Sequence, residues 1–162
     1  MKKEKIRKRF VVGLPMRTCN QSGQAEREIG AYWDRFYRDG IPSKIFGKVS
    51  DEIIVIYTDY EGDYTMPYTY IGGFEVADLK HLPEGFVGVE VPAGEYASYL
   101  AHGPFPDALQ KVWHQIWNSP LPRAYTIDME IYPADFTPEK GQDIKVYIAL
   151  KSRTCSRGYG TS

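Results

Sequence analysis

Two stretches of this chain echo each other at a constant offset. Ile29, Trp33, Phe36 and Ile41-Pro42 recur as Leu109, Trp113, Ile116 and Leu121-Pro122, each 80 residues later. Such a duplication constrains the fold strongly, because two small units that each carry one apolar face bury it best against a shared layer. Two copies packed about an approximate two-fold axis meet in a seam, and a seam is a natural ligand cleft. At 162 residues, the chain fits one domain that can bury a core without disulfides or structural metal.

Hydrophobic periodicity divides the chain into matching elements. Residues 9–16 read as a first strand and 24–38 as a helix, with Ile29, Trp33 and Phe36 on one face. Residues 53–60 and 66–75 alternate as two strands about Glu61-Gly62-Asp63, the pattern of a hairpin. A connector over 77–85 leads to an extra strand over 86–91, which ends at Pro92-Ala93-Gly94. The second copy begins as a strand over 95–101. It continues as a helix from Pro106, a residue suited to a first helical turn, to Trp117, and closes with strands over 126–132 and 144–150. Ile56-Tyr57 and Tyr70-Ile71 find counterparts in Ile131-Tyr132 and Tyr147-Ile148. Burial then lays both helices on one side of an antiparallel sheet with a cleft between the units. This is an α+β domain over 1–151, with unit one at about 8–76 and unit two at about 86–151. Residues 152–162, polar and rich in Gly and Ser, read as a C-terminal tail.

The formal net charge of −1 provides no global field for nucleic acid or for cations, so any charge argument is local. The basic start MKKEKIRKRF precedes an apolar run too short for a secretory core or a membrane span, which points to a cytoplasmic protein with no membrane association. Lys2 to Arg9 read as a solvated arm in preference to a phosphate-binding one. Cys19 and Cys155 form no CxxC or Cys/His cluster. Neither metal nor cofactor is expected, and spacing alone leaves a disulfide undecided.

Aromatic residues make up 14 % of the chain and 13 of them are Tyr. Tyrosine suits a half-buried pleated surface, so many need no ligand to account for them. The duplication singles out one position among them. Aligning Ile56-Tyr57 on Ile131-Tyr132 sets Glu130 where the first copy, IIVIY, has Val55. Strand alternation puts Asp128, Glu130 and Tyr132 on one face and Met129 and Ile131 on the other, so periodicity also admits a solvent-facing Glu130. Its company argues otherwise: Tyr132 shares its face, and the neighbouring strand brings Tyr147 near. A carboxylate among tyrosines is a trap for an organic cation, which restores charge balance while stacking on the rings.

At these residues the chain resembles a known family. The duplicated strand-helix-strand-strand pattern, VPAGEYASY at 91–99, WHQIWNSPLPRAY at 113–125 and DMEIY at 128–132 are together similar to the GyrI-like effector-binding superfamily. That superfamily also forms the ligand-sensing half of multidrug-responsive regulators of the BmrR and Rob type. The start GLPMRTCNQSGQ, followed by a helix containing Trp33, resembles the free-standing members carried on integron gene cassettes. The resemblance covers about residues 8–151. It implies that Glu130 faces the cleft and meets cationic aromatic compounds, with Trp113, Trp117, Tyr132 and Tyr147 as walls. Tyr57, Tyr99, Pro15 and Met16 are further candidates.

The duplicated units leave no room for a helix-turn-helix, so direct DNA reading is not expected. Association with a separate transcription regulator stays open, and so does a homodimer through edge strands and exposed tyrosines. The same resemblance includes hydrolases of reactive small molecules that use a cleft Glu. General acid–base work needs a shifted pKa and a second positioned group, and the sequence displays neither. Binding of a small organic cation is therefore preferred to catalysis, with His81, His102 and His114 read as structural. Glu75 and Glu52 are the unit-one acids that could join Glu130.

Overall fold

The computed structural model describes residues 1–140 and 142–151. The tail at 152–162 and Cys155 lie outside the described residues. Eight strands form one antiparallel sheet: β1 (Lys2–Ile6), β2 (Arg9–Thr18), β3 (Ile53–Thr58), β4 (Tyr68–Val76), β5 (Val87–Val91), β6 (Gly94–Ala101), β7 (Arg123–Tyr132) and β8 (Ile144–Leu150). Their spatial order is β1-β6-β8-β7-β3-β4-β2-β5. From the centre outward, β3-β4-β2-β5 follows the same path as β7-β8-β6-β1, so an approximate two-fold axis passes between β3 and β7. The axis falls at Val55 and Glu130, which are paired across the central ladder.

The edge strands cross between the halves. β1 precedes unit one but pairs with β6 of unit two, and β5 precedes unit two but pairs with β2 of unit one. The expected solvated arm at Lys2 to Arg9 is therefore corrected: residues 2–6 are a paired edge strand. Ladder pairing uses only the backbone, so lysines fit, and charge on an outermost strand discourages further pairing.

Three helices, α1 (Gln24–Arg38), the single turn α2 (Ile41–Lys44) and α3 (Asp107–Trp117), lie on one face of the sheet. α1 buries Tyr32 and Phe36, and α3 buries Val112, Trp113 and Ile116. They pack on Val12, Val55, Phe74 and Val146. The opposite face gathers Val11, Ile54, Ile56, Ile71, Met129 and Tyr147 into a second cluster without a helical residue. The period-2 alternation of each strand makes this division. Among the described residues no helix is long and apolar enough to cross a membrane.

The approach of α1 depends on Gly72. A Cβ there would lie 2.8 Å from both Trp33 and the Tyr32 hydroxyl, so a side chain would push the helix off the sheet. The Tyr32 hydroxyl uses the gap, donating to the Leu14 carbonyl at 2.6 Å and accepting the Gly72 N–H at 2.7 Å. These bonds tie α1 to β2 and β4 at once.

One part of the sequence echo is out of register. Val55 pairs with Gly72, and Glu130 with Val146, so the axis relates Gly72 to Val146 and Tyr70 to Ile144. The apparent match of Tyr70-Ile71 with Tyr147-Ile148 is displaced by three residues, and an odd displacement reverses the faces of a strand.

Candidate functional site: an aromatic cavity around a buried carboxylate

A cavity of about 1230 Å³ lies between α1, α3 and the helical face of the sheet. The strands provide Tyr57, Tyr68, Tyr70, Glu130 and Tyr132, while α1 contributes Trp33 and α3 contributes Trp113 and Trp117. The wide span follows from topology: two separate helices rest on the two halves of the sheet, and the space between them is roofed by neither.

Glu130 stands at the centre of this arrangement and is 1 % exposed. Its Oε2 accepts the Trp113 indole N–H at 2.7 Å and the Tyr57 hydroxyl at 2.8 Å, and its Oε1 accepts the Tyr132 hydroxyl at 2.8 Å. Burial pushes its pKa up, and the three donated hydrogen bonds oppose that rise without cancelling it. An ionised carboxylate has about four acceptor positions. Three are occupied here, all by neutral donors, and no basic side chain among the described residues acts on it.

The second buried acid on this face is arranged differently. Asp128 accepts the Arg123 guanidinium at 2.8 Å, the Tyr60 hydroxyl at 2.6 Å and the Ala149 N–H at 3.0 Å. The Arg123 guanidinium in turn sits 4.2 Å from the Tyr125 ring centre. Tyr125 has a φ of 55° within the irregular stretch of β7 between Arg123 and Asp128, a strained conformation for a bulky residue. Asp128 is thus neutralised within the protein, whereas Glu130 is not.

Of the residues singled out in the sequence, Trp113, Trp117, Tyr132 and Tyr57 gather with Glu130 in the cavity. Tyr147 does not. It pairs with Met129, and the register that places Val146 beside Glu130 turns Tyr147 to the opposite face. Pro15 pairs with Ile71 of the same opposite cluster. Met16 and Tyr99 are on the helical side but pack into its core away from the cavity. Glu75 is also on the far face, where Arg7 binds it at 2.7 and 3.0 Å, and Glu52 is exposed. The unit-one acid at the cavity is Glu26 of α1.

Trp33, the counterpart of Trp113 across the echo, was not among the expected site residues, yet both indoles line the cavity, one from each helix. Sequence reasoning also missed Tyr60, Tyr64, Tyr68 and Tyr70 in unit one, and Phe105 and Phe136 in unit two. The spacing of Tyr68 and Tyr70 placed them on one face, but which face depended on the register with Tyr57. Tyr64 had no local signal. It stacks on Trp117 with ring centres 5.2 Å apart and planes 10° apart, a contact between the two units that loop sequence does not encode.

Residues 4–150 match the family described as Cass2, integron-associated effector binding protein. The chain belongs to the Cass2 family. This Cass2 chain is 29 % identical over 150 residues to YobU of Bacillus subtilis (strain 168), named as a candidate transcriptional regulator, with 89 % of this chain and 92 % of the relative covered. The crystal structure of the integron cassette protein VCH_CASS2 of Vibrio cholerae is similar at a TM-score of 0.72 and 27 % identity, over 93 % of this chain and 95 % of that one. A structure of SAV2435 bound to tetraphenylphosphonium shares the fold at a TM-score of 0.75 and 14 % identity, over 93 % of each chain. The Cass2 membership agrees with the GyrI-like resemblance of the sequence.

Proposed function

We propose that this protein binds lipophilic aromatic cations in the cavity, with Glu130 neutralising the charge and the surrounding rings supplying stacking and apolar contact. The observation that carries the reading is Glu130 itself: a fully buried carboxylate, oriented by three neutral donors and left without a cationic partner among the described residues. An unpaired buried charge is unfavourable, and a delocalised cation is the partner that suits both the carboxylate and the aromatic walls. The tetraphenylphosphonium bound to SAV2435, a protein of the same fold, supports this ligand class. The family's description as effector binding supports a receptor role, in which the bound compound is the signal.

A thermal-shift comparison of tetraphenylphosphonium with neutral triphenylphosphine oxide tests the proposal. The cation should stabilise the protein and the neutral compound should not. In Glu130→Gln, loss of a buried charge partner should weaken cation binding by about 2 kcal/mol or more. Equal stabilisation by both compounds, unchanged in the variant, would overturn it.

A further inference from the structure

Four of the cavity's tyrosine hydroxyls are committed as donors, and Tyr37 and Tyr64 are open enough for water to serve theirs. Tyr57 and Tyr132 give their hydrogens to Glu130, Tyr60 to Asp128, and Tyr68 to the Asn20 side-chain oxygen at 2.8 Å. Tyr70 differs. It is 1 % exposed, and its hydroxyl contacts the Trp33 indole nitrogen at 2.8 Å. An indole N–H can only donate, so in that bond the Tyr70 oxygen is the acceptor. Its own hydrogen is left over, and among the described residues no acceptor takes it. A buried donor without a partner is unfavourable, and this one lines the cavity.

The position of Tyr70 relative to Glu130 is fixed by the sheet. Glu130 is on β7, Tyr57 on the adjoining β3, and Tyr70 opposite Tyr57 on β4. Glu130 pairs with Val55 and Val55 with Gly72, so Tyr70 lies two strand spacings across and two residues along from Glu130, roughly 12 Å between backbones. The Tyr57 ring stands between them, with its centre 5.3 Å from that of Tyr70 in an edge-to-face contact. A negative group and a hydrogen-bond donor are thus offered to one ligand from a shared floor.

We propose that Tyr70 is the specificity-determining donor of the cavity, selecting aromatic cations that carry an oxygen acceptor on a ring remote from the positive centre. This inference rests on the cation-binding reading and narrows its ligand class. Trp33 serves as the positioning residue, because its N–H occupies the hydroxyl lone pair and turns the Tyr70 hydrogen away from α1.

The test uses two probes of matched shape, 4-acetylphenyl-triphenylphosphonium and 4-isopropylphenyl-triphenylphosphonium, titrated calorimetrically against wild type, Tyr70→Phe, Trp33→Phe and Glu130→Gln. The quantity read is the affinity ratio of the acetyl to the isopropyl compound, which cancels general packing changes. Tyr70→Phe should lower that ratio about three- to tenfold, the range of a single neutral hydrogen bond. Trp33→Phe, which keeps the Tyr70 hydroxyl but removes the N–H that orients it, should lower the ratio by a smaller factor, and an unchanged ratio there overturns the positioning role. An unchanged ratio in Tyr70→Phe overturns the assignment even if both cations bind. Failure of both cations to bind wild type, or binding indifferent to Glu130→Gln, overturns the cation-binding reading instead and removes the ground for this one.

Discussion

Val55 and Glu130 face each other across the central strand pair, and the approximate two-fold axis of the duplicated fold passes between them. The two positions are counterparts in the repeat as well as neighbours in the sheet. A single difference at the axis therefore puts a buried carboxylate in the floor of the cavity while the apolar copy, Val55, stays fully buried beside it. A charge on the axis is within reach of both halves of the cavity, which suits loose selection of ligand shape.

Glu130 should give the free protein a distinctive pH dependence. Burial holds its folded pKa above 4.5, so the folded state keeps a proton that the unfolded chain has released. Its contribution is then complete below the unfolded pKa and lost as pH rises through the folded one. Chemical denaturation of wild type and Glu130→Gln at several pH values checks this: the difference should move in favour of the variant as pH rises. Cation affinity of the wild type should rise over the same interval, as the carboxylate becomes available.

Tyr132 and Tyr147 provide a test of faces. Tyr132→Phe removes one of the three donors to the carboxylate, a bond of about 1.5 kcal/mol or more when its acceptor is charged. It should weaken cation binding several-fold near neutral pH and displace the pH profile upward. Tyr147→Phe, on the opposite face, should leave both unchanged. Titration of tetraphenylphosphonium into each variant separates them.

Asp128 should matter to stability. Asp128→Ala leaves the Arg123 guanidinium buried without its partner, and breaking a buried pair in this way costs about 3–5 kcal/mol. The urea midpoint should fall accordingly. A loss below about 1 kcal/mol, the range of an exposed pair, would contradict the buried arrangement.

Gly72→Ala should loosen α1. The added Cβ meets Trp33 and Tyr32 at 2.8 Å, and overpacking of this kind costs about 1–3 kcal/mol. Hydrogen exchange should show the loss of protection concentrated in α1, with α3 less affected.

How far the sequence could be read follows from the range of each interaction. The two main helices and the β3–β4 hairpin were legible because their apolar spacing and turn residues act within a few positions. β1 was not, since KKEKI carries no apolar alternation and is a strand only because β6 has a free edge to pair with. Glu130 was legible as a break in a repeat. Tyr147 was expected beside Glu130 because its strand adjoins β7, but the register sets Val146 opposite Glu130 and turns Tyr147 to the other face, which no local pattern reveals.

The sequence by itself determined the duplication, the α+β elements and a carboxylate, Glu130, that departs from the repeat. Those are properties of periodicity and of residue identity. Only the tertiary structure decided that Glu130 is buried, which hydroxyls hold it, that Trp33 shares the cavity with Trp113, and that Tyr147 lies behind the sheet. Each of these depends on strand register and helix placement, where a single residue's shift turns a side chain from one face to the other.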